Sequence, residues 1–138
     1  MQKITLKREP DLTLKHQAFV YQLEAVNAIK DLEYAAIFHE QGLGKTKVAI
    51  DLIVYWLSHR LLDTALIVVK KGLLDNWQRE LTSHSQLVPR VLTNNRGGNF
   101  YVFNSPARVM LAHYEGVRAE KARMHLFLRT RNVGVILD

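Results

Sequence analysis

The run Glu40-Gln41-Gly42-Leu43-Gly44-Lys45-Thr46 concentrates the residue types that hold a phosphate. Glycines let consecutive backbone N–H groups turn inward around an anion, and Lys45 carries its charge on a stem long enough to reach terminal phosphates. The Thr46 hydroxyl is a hard oxygen suited to Mg²⁺. The strict phosphate-loop pattern asks for glycine five residues before Gly44, and His39 stands there instead. A dinucleotide-binding fingerprint fits less well, because its third glycine position falls on Lys47. The competing reading is an ordinary strand-to-helix turn that contains Gly-Lys-Thr. What favours the phosphate loop is the pair of elements on either side of it.

Those elements follow from apolar spacing. Phe19, Leu23, Val26 and Ile29 recur at helical intervals and predict an amphipathic helix over 16–30. The short apolar run 35–38 predicts a buried strand that feeds directly into Gly42-Leu43-Gly44. A second helix is expected over 45–59, apolar around much of its circumference through Val48, Ala49, Leu52, Ile53, Trp56 and Leu57, as for a helix packed on a sheet. A strand over 65–69 follows, then a helix carrying Leu73, Leu74, Trp77 and Leu81. Strands are expected at 91–92 and 100–103, on either side of the turn-prone 94–98, then a helix over 119–129 and a closing strand over 133–137. Such alternation predicts an α/β fold in three layers, with a mainly parallel sheet covered by helices on both faces.

Composition narrows the class. The 138 residues, 48% of them hydrophobic, suffice for the core of one globular domain. Nineteen Lys and Arg against thirteen Asp and Glu leave a net charge of +6, which suits a polyanionic partner. The absence of cysteine excludes disulfides and cysteine-ligated zinc, and the six histidines lack metal-ligand spacing. No run approaches the roughly 20 apolar residues that span a bilayer, and 1–16 lacks the apolar stretch of a signal peptide. A cytoplasmic protein with no membrane partner is expected.

Taken in order, Tyr21-Gln22-Leu23-Glu24-Ala25-Val26, then 40–46, then Ala65-Leu66-Ile67-Val68-Val69 with Leu73-Leu74-Asp75-Asn76-Trp77-Gln78-Arg79-Glu80-Leu81, resemble the opening of a Swi/Snf-type ATPase of helicase superfamily two. The resemblance spans 14–138, which would make that segment part of a RecA-like P-loop NTPase domain, incomplete at its C-terminus, preceded by a basic extension over 1–13. It implies ATP and Mg²⁺ as cofactors and nucleic acid, in the form of double-stranded DNA, as partner. Within it Gln22 matches the glutamine that reads adenine, and His39 through Thr46 match the phosphate loop, with His39 where the family often has an acid and Gln41 where it often has methionine. Lys70-Lys71-Gly72 matches the first nucleic-acid contact motif, with Lys70 in place of the usual proline. Asn104-Ser105, after the strand expected at 100–103, resembles a further backbone contact. Trp77 matches a tryptophan typical of the family and, from its spacing, reads as core without a binding role.

The closing Val133-Gly134-Val135-Ile136-Leu137-Asp138 resembles the Walker B strand, whose aspartate holds Mg²⁺ through water. Lys45 and Asp138 are then the catalytic candidates, and Thr46 and Asp138 the metal candidates. In the family a glutamate follows that aspartate, and a second RecA-like lobe supplies arginines that stabilise transition-state charge, so both are expected in the remainder of the same polypeptide. The compact spacing of the motifs resembles phage or bacterial members, which would place the protein at the nucleoid or in a host cytoplasm. Two other classes share the loop: a nucleotide-binding module without motor activity, and an RNA-directed helicase of the same superfamily.

Overall fold

A computed structural model of the chain describes residues 45–138. The extension 1–13, the helix expected over 16–30, the strand expected over 35–38, and Gln22, His39, Glu40, Gln41, Gly42, Leu43 and Gly44 lie outside the described residues.

The described segment opens with α1 (Lys45–Ser58) and continues through β1 (Thr64–Val69), a 3₁₀ turn (Lys71–Leu73) and α2 (Leu74–His84). It then runs through β2 (Arg90–Val91), α3 (Arg96–Asn104), β3 (Val109–His113), α4 (Tyr114–Ala119), α5 (Lys121–Thr130) and β4 (Val133–Leu137). The strands form one sheet in the order β2-β3-β1-β4, and every pairing is parallel. The central registers set Val69 beside His113 and Val68 beside Leu137. All four strands therefore end on one edge of the sheet.

Side-chain alternation assigns the two faces. Ala65, Ile67 and Val69 of β1, with Val109 and Leu111 of β3, pack against Ile50, Ile53, Val54 and Leu57 of α1 and Trp77 and Leu81 of α2. Leu66, Val68, Met110 and Ala112 point the other way, against Phe103 of α3 and Met124 and Phe127 of α5. Every residue of β1 and of β3 is buried, as expected for parallel strands covered on both faces. Charges inside this core are paired: Lys47 and Asp51, each 5% exposed, form an ion pair one turn apart on α1. Among the described residues no helix is long and apolar enough to cross a membrane.

One expected element is corrected. Residues 100–103 are helical, within α3, and the strand lies at Val109–His113 instead. Phe100-Tyr101-Val102-Phe103 has the aromatic and β-branched content of a strand, but Asn95 supplies the stronger local signal. Its side chain caps the helix by accepting from the Gly98 N–H at 3.1 Å. Asn99 and Phe103, four residues apart, are the buried pair, while Phe100 and Tyr101 stand in solvent. The helix expected over 119–129 is α5, and the short α4 that precedes it across Glu120 is an element the sequence did not announce.

The opposite edge of the sheet, where the strands begin, is closed by polar contacts. Arg131 donates to the carbonyls of Ser105 and Phe103 at 2.8 and 2.9 Å, satisfying the C-terminus of α3, and lies over the Phe127 ring. Burial lowers the pKa of this guanidinium from its ordinary value, and Asp63 opposes the shift. The Asp63 carboxylate accepts from the Asn132 backbone N–H at 3.0 Å, tying the start of β1 to the start of β4.

Candidate functional site

The edge where the strands end gathers the chemistry. In a parallel sheet with helical crossovers, ligand-contacting groups belong on the segments that leave the C-terminal strand ends. Here those segments are Lys70-Lys71-Gly72 after β1, the Thr93–Asn95 turn after β2, His113-Tyr114-Glu115 at the end of β3, and Asp138 after β4. The 14 residues of α1 precede β1 through a short link, so the helix runs antiparallel to the strand and returns its first turn, Lys45 and Thr46, to this edge. Lys45 is exposed and Thr46 half-buried.

Asp138 is held at three points. Its N–H donates to the Val68 carbonyl at 3.0 Å, continuing the ladder of β4 beyond Leu137. Its carbonyl accepts from the Tyr114 hydroxyl at 3.1 Å. Its carboxylate accepts, through Oδ2, from the indole N–H of Trp77 at 2.9 Å. Among the described residues Oδ1 has no hydrogen-bond partner.

Lys70 and Lys71 are exposed at the start of the turn into α2. Lys70 is extended, with φ −65° and ψ 145°, and its carbonyl accepts from the Leu73 N–H at 2.8 Å, so the turn is closed by its own backbone and both ammonium groups face solvent. Beside it, His113 is buried, and its Nδ1 lies 3.0 Å from both the Gly116 N–H and a Glu115 carboxylate oxygen. That ring caps α4.

The structure brings Lys70, Lys71 and Asp138 to one edge, together with the first turn of α1 that carries Lys45 and Thr46. Asn104 and Ser105 are elsewhere. They end α3 at the opposite edge, where the Asn104 side chain donates to the Phe100 carbonyl at 2.7 Å and the Ser105 hydroxyl to the Val102 carbonyl at 3.1 Å. The expectation that they follow a strand over 100–103 is corrected with the strand itself.

Two contributors escape sequence reasoning. Tyr114 belongs to a run expected to hold no strand, and Trp77 has only a packing role in its helical spacing. A usable signal for Tyr114 exists: Val109 to Ala112 is a short apolar run that breaks into polar residues, the pattern shared by Val69-Lys70 and Leu137-Asp138.

A family model described as the SNF2-related domain matches residues 21–137. The chain belongs to the SNF2-related domain family. No curated protein matches it. Among solved structures, this SNF2-related domain is similar to the Sulfolobus solfataricus SWI2/SNF2 ATPase core in complex with dsDNA, with a TM-score of 0.68 and 15% identity. The match covers 96% of this chain and 34% of that one, so the chain spans about a third of the length of its structural relative. The three-layer arrangement around a parallel sheet is the RecA-like fold expected from the sequence.

Proposed function

We propose that this SNF2-related domain is the ATP-binding part of a DNA-dependent ATPase that couples hydrolysis to movement along double-stranded DNA. The observation that carries the reading is the shared edge: the carboxylate of Asp138, the Lys70-Lys71 turn and the first turn of α1 stand together at the C-terminal ends of the strands.

The residues suit the roles. The Thr46 hydroxyl and the Asp138 carboxylate are hard-oxygen groups that would suit Mg²⁺, and Oδ1 of Asp138 has no partner among the described residues. Bound Mg²⁺ would supply charge neutralisation between the phosphates. Lys45, at the head of α1, reaches the terminal phosphates, where the positive end of the helix dipole adds to its charge. In this reading Gln22 recognises the adenine edge and 39–44 belong to the phosphate-binding loop. Lys70 and Lys71 hold the DNA backbone without reading sequence, which suits an enzyme that moves along its track. A glutamate after Asp138 and a second lobe of the same polypeptide complete the active site in this reading.

ATP hydrolysis by the intact protein, compared without nucleic acid and with duplex DNA, single-stranded DNA or RNA, tests the proposal. Stimulation by duplex DNA that disappears in Lys45→Ala supports it. Greater stimulation by RNA would assign an RNA-directed enzyme, and nucleotide binding without hydrolysis under every condition would leave a binding module.

A further inference from the structure

We propose that Trp77 is a positioning residue for Asp138, selecting which of its two carboxylate oxygens is offered to a divalent cation. The inference rests on the reading of Asp138 as a metal-holding residue. An indole nitrogen donates and never accepts, so the contact at 2.9 Å commits Oδ2 to Trp77 and leaves Oδ1 as the acceptor without a partner among the described residues. The direction of this bond is stiff. Trp77 is 2% exposed and lies within the cluster that includes Ile50, Leu81 and Leu111, so its ring cannot turn without disturbing the core.

The backbone of the same residue is fixed independently. The Val68 carbonyl and the Tyr114 hydroxyl hold its N–H and carbonyl, so rotation about the side-chain bonds is the freedom that remains, and Trp77 removes it. A charge-assisted bond from a buried donor suits that purpose, because the donor has no competing water. The need is mutual: an indole N–H this deeply buried requires an acceptor, and Asp138 provides it. The arrangement explains a polar contact that packing does not require, since a phenylalanine would fill most of the same volume.

The placement matters for the partner as well. Trp77 sits in the first turn of α2, immediately after the Lys70-Lys71-Gly72 turn, and Tyr114 opens α4 immediately after His113. Segments leaving β1 and β3 therefore both end on Asp138.

The test uses the intact protein with ADP bound and Mn²⁺ as the probe, titrated by electron paramagnetic resonance. Trp77→Phe should raise the half-saturating Mn²⁺ concentration roughly ten-fold, the lower end of what removing an outer-shell partner costs in metal affinity. ADP affinity without metal should stay as in the parent. Asp138→Asn serves as reference. If Asp138→Asn weakens Mn²⁺ binding and Trp77→Phe does not, the positioning role is overturned and the metal role of Asp138 survives. If neither changes Mn²⁺ binding, the metal role of Asp138 is refuted and the inference falls with it. A second readout needs no change at Trp77: the ¹⁵N-indole resonance of Trp77, assigned through its connectivity to its own backbone, should move when Mg²⁺ joins bound ADP and should already be displaced in Asp138→Asn. A resonance indifferent to both overturns the inference even if Trp77→Phe does not fold.

Discussion

Replacing Lys70 and Lys71 by glutamine should flatten the salt dependence of DNA binding by a calculable amount. Both side chains are exposed, and the turn that carries them is closed by the Lys70 carbonyl and the Leu73 N–H, so the substitution leaves the fold intact. Each phosphate that a lysine neutralises adds about 0.9 to the slope of log K against log salt, so removing both ammonium groups lowers it by about 1.8. Between about 50 and 200 mM salt, the affinity of the parent should then fall roughly 12-fold further than that of the double variant. Anisotropy of a labelled duplex across that range, on the intact protein, measures the difference. An unchanged slope would refute the assignment of this edge to the DNA backbone. Asn104→Ala is the matching control, because its side chain bonds its own helix at the far edge. A slope that falls with Asn104→Ala and not with the lysines would place the nucleic acid on the wrong side of the sheet for the proposed mechanism.

Two stability effects follow from the polar contacts. Arg131→Met removes both donors from the end of α3 and the cation from the Phe127 ring, and it should destabilise by about 2 kcal/mol, since water recovers part of the carbonyl hydrogen bonding at a half-buried site. The shift of the first urea transition of the intact protein gives the value, and a change below about 0.5 kcal/mol would refute the clamp. Asn99→Ala should cost more, about 3 kcal/mol. Asn99 is 1% exposed and pairs both backbone groups of Thr93, at 2.8 and 2.9 Å, as well as buried Glu120 at 3.2 Å. The same urea measurement checks it, and a smaller effect than that of Arg131→Met would show that water replaces the amide.

How much of the molecule is legible in its sequence depends on where each signal lies along the chain. The helices α1 and α2 and the strands β1 and β4 show themselves locally, because long periodic faces and short bounded apolar runs carry their own signal. In place of α3 and β3 the residues suggest a strand and a loop, because Phe100-Tyr101-Val102-Phe103 has strand-like content. What decides against it is the cap at Asn95 and the burial of Phe103 against Phe127. Aromatic content describes a surface that fits a sheet, and a helix with two buried positions fits it here as well. The site divides in the same way. Lys70, Lys71 and Asp138 follow apolar strands and can be placed on one edge from sequence alone. The bond from Trp77 to Asp138 joins residues 61 apart in the chain, and no local pattern announces it. Asn104 and Ser105, read as following a strand, end a helix instead, as a direct result of the misplaced strand.

The central claim, that this SNF2-related domain serves a motor driven by ATP on duplex DNA, is tested most directly by the rate of ATP hydrolysis of the intact protein with and without duplex DNA, beside Lys45→Ala. A rate raised at least about ten-fold by duplex DNA, and abolished in Lys45→Ala, is the expected result; a ten-fold rise corresponds to about 1.4 kcal/mol of transition-state stabilisation supplied by the track. A rate indifferent to duplex DNA, or one that survives removal of the Lys45 ammonium, would contradict the claim.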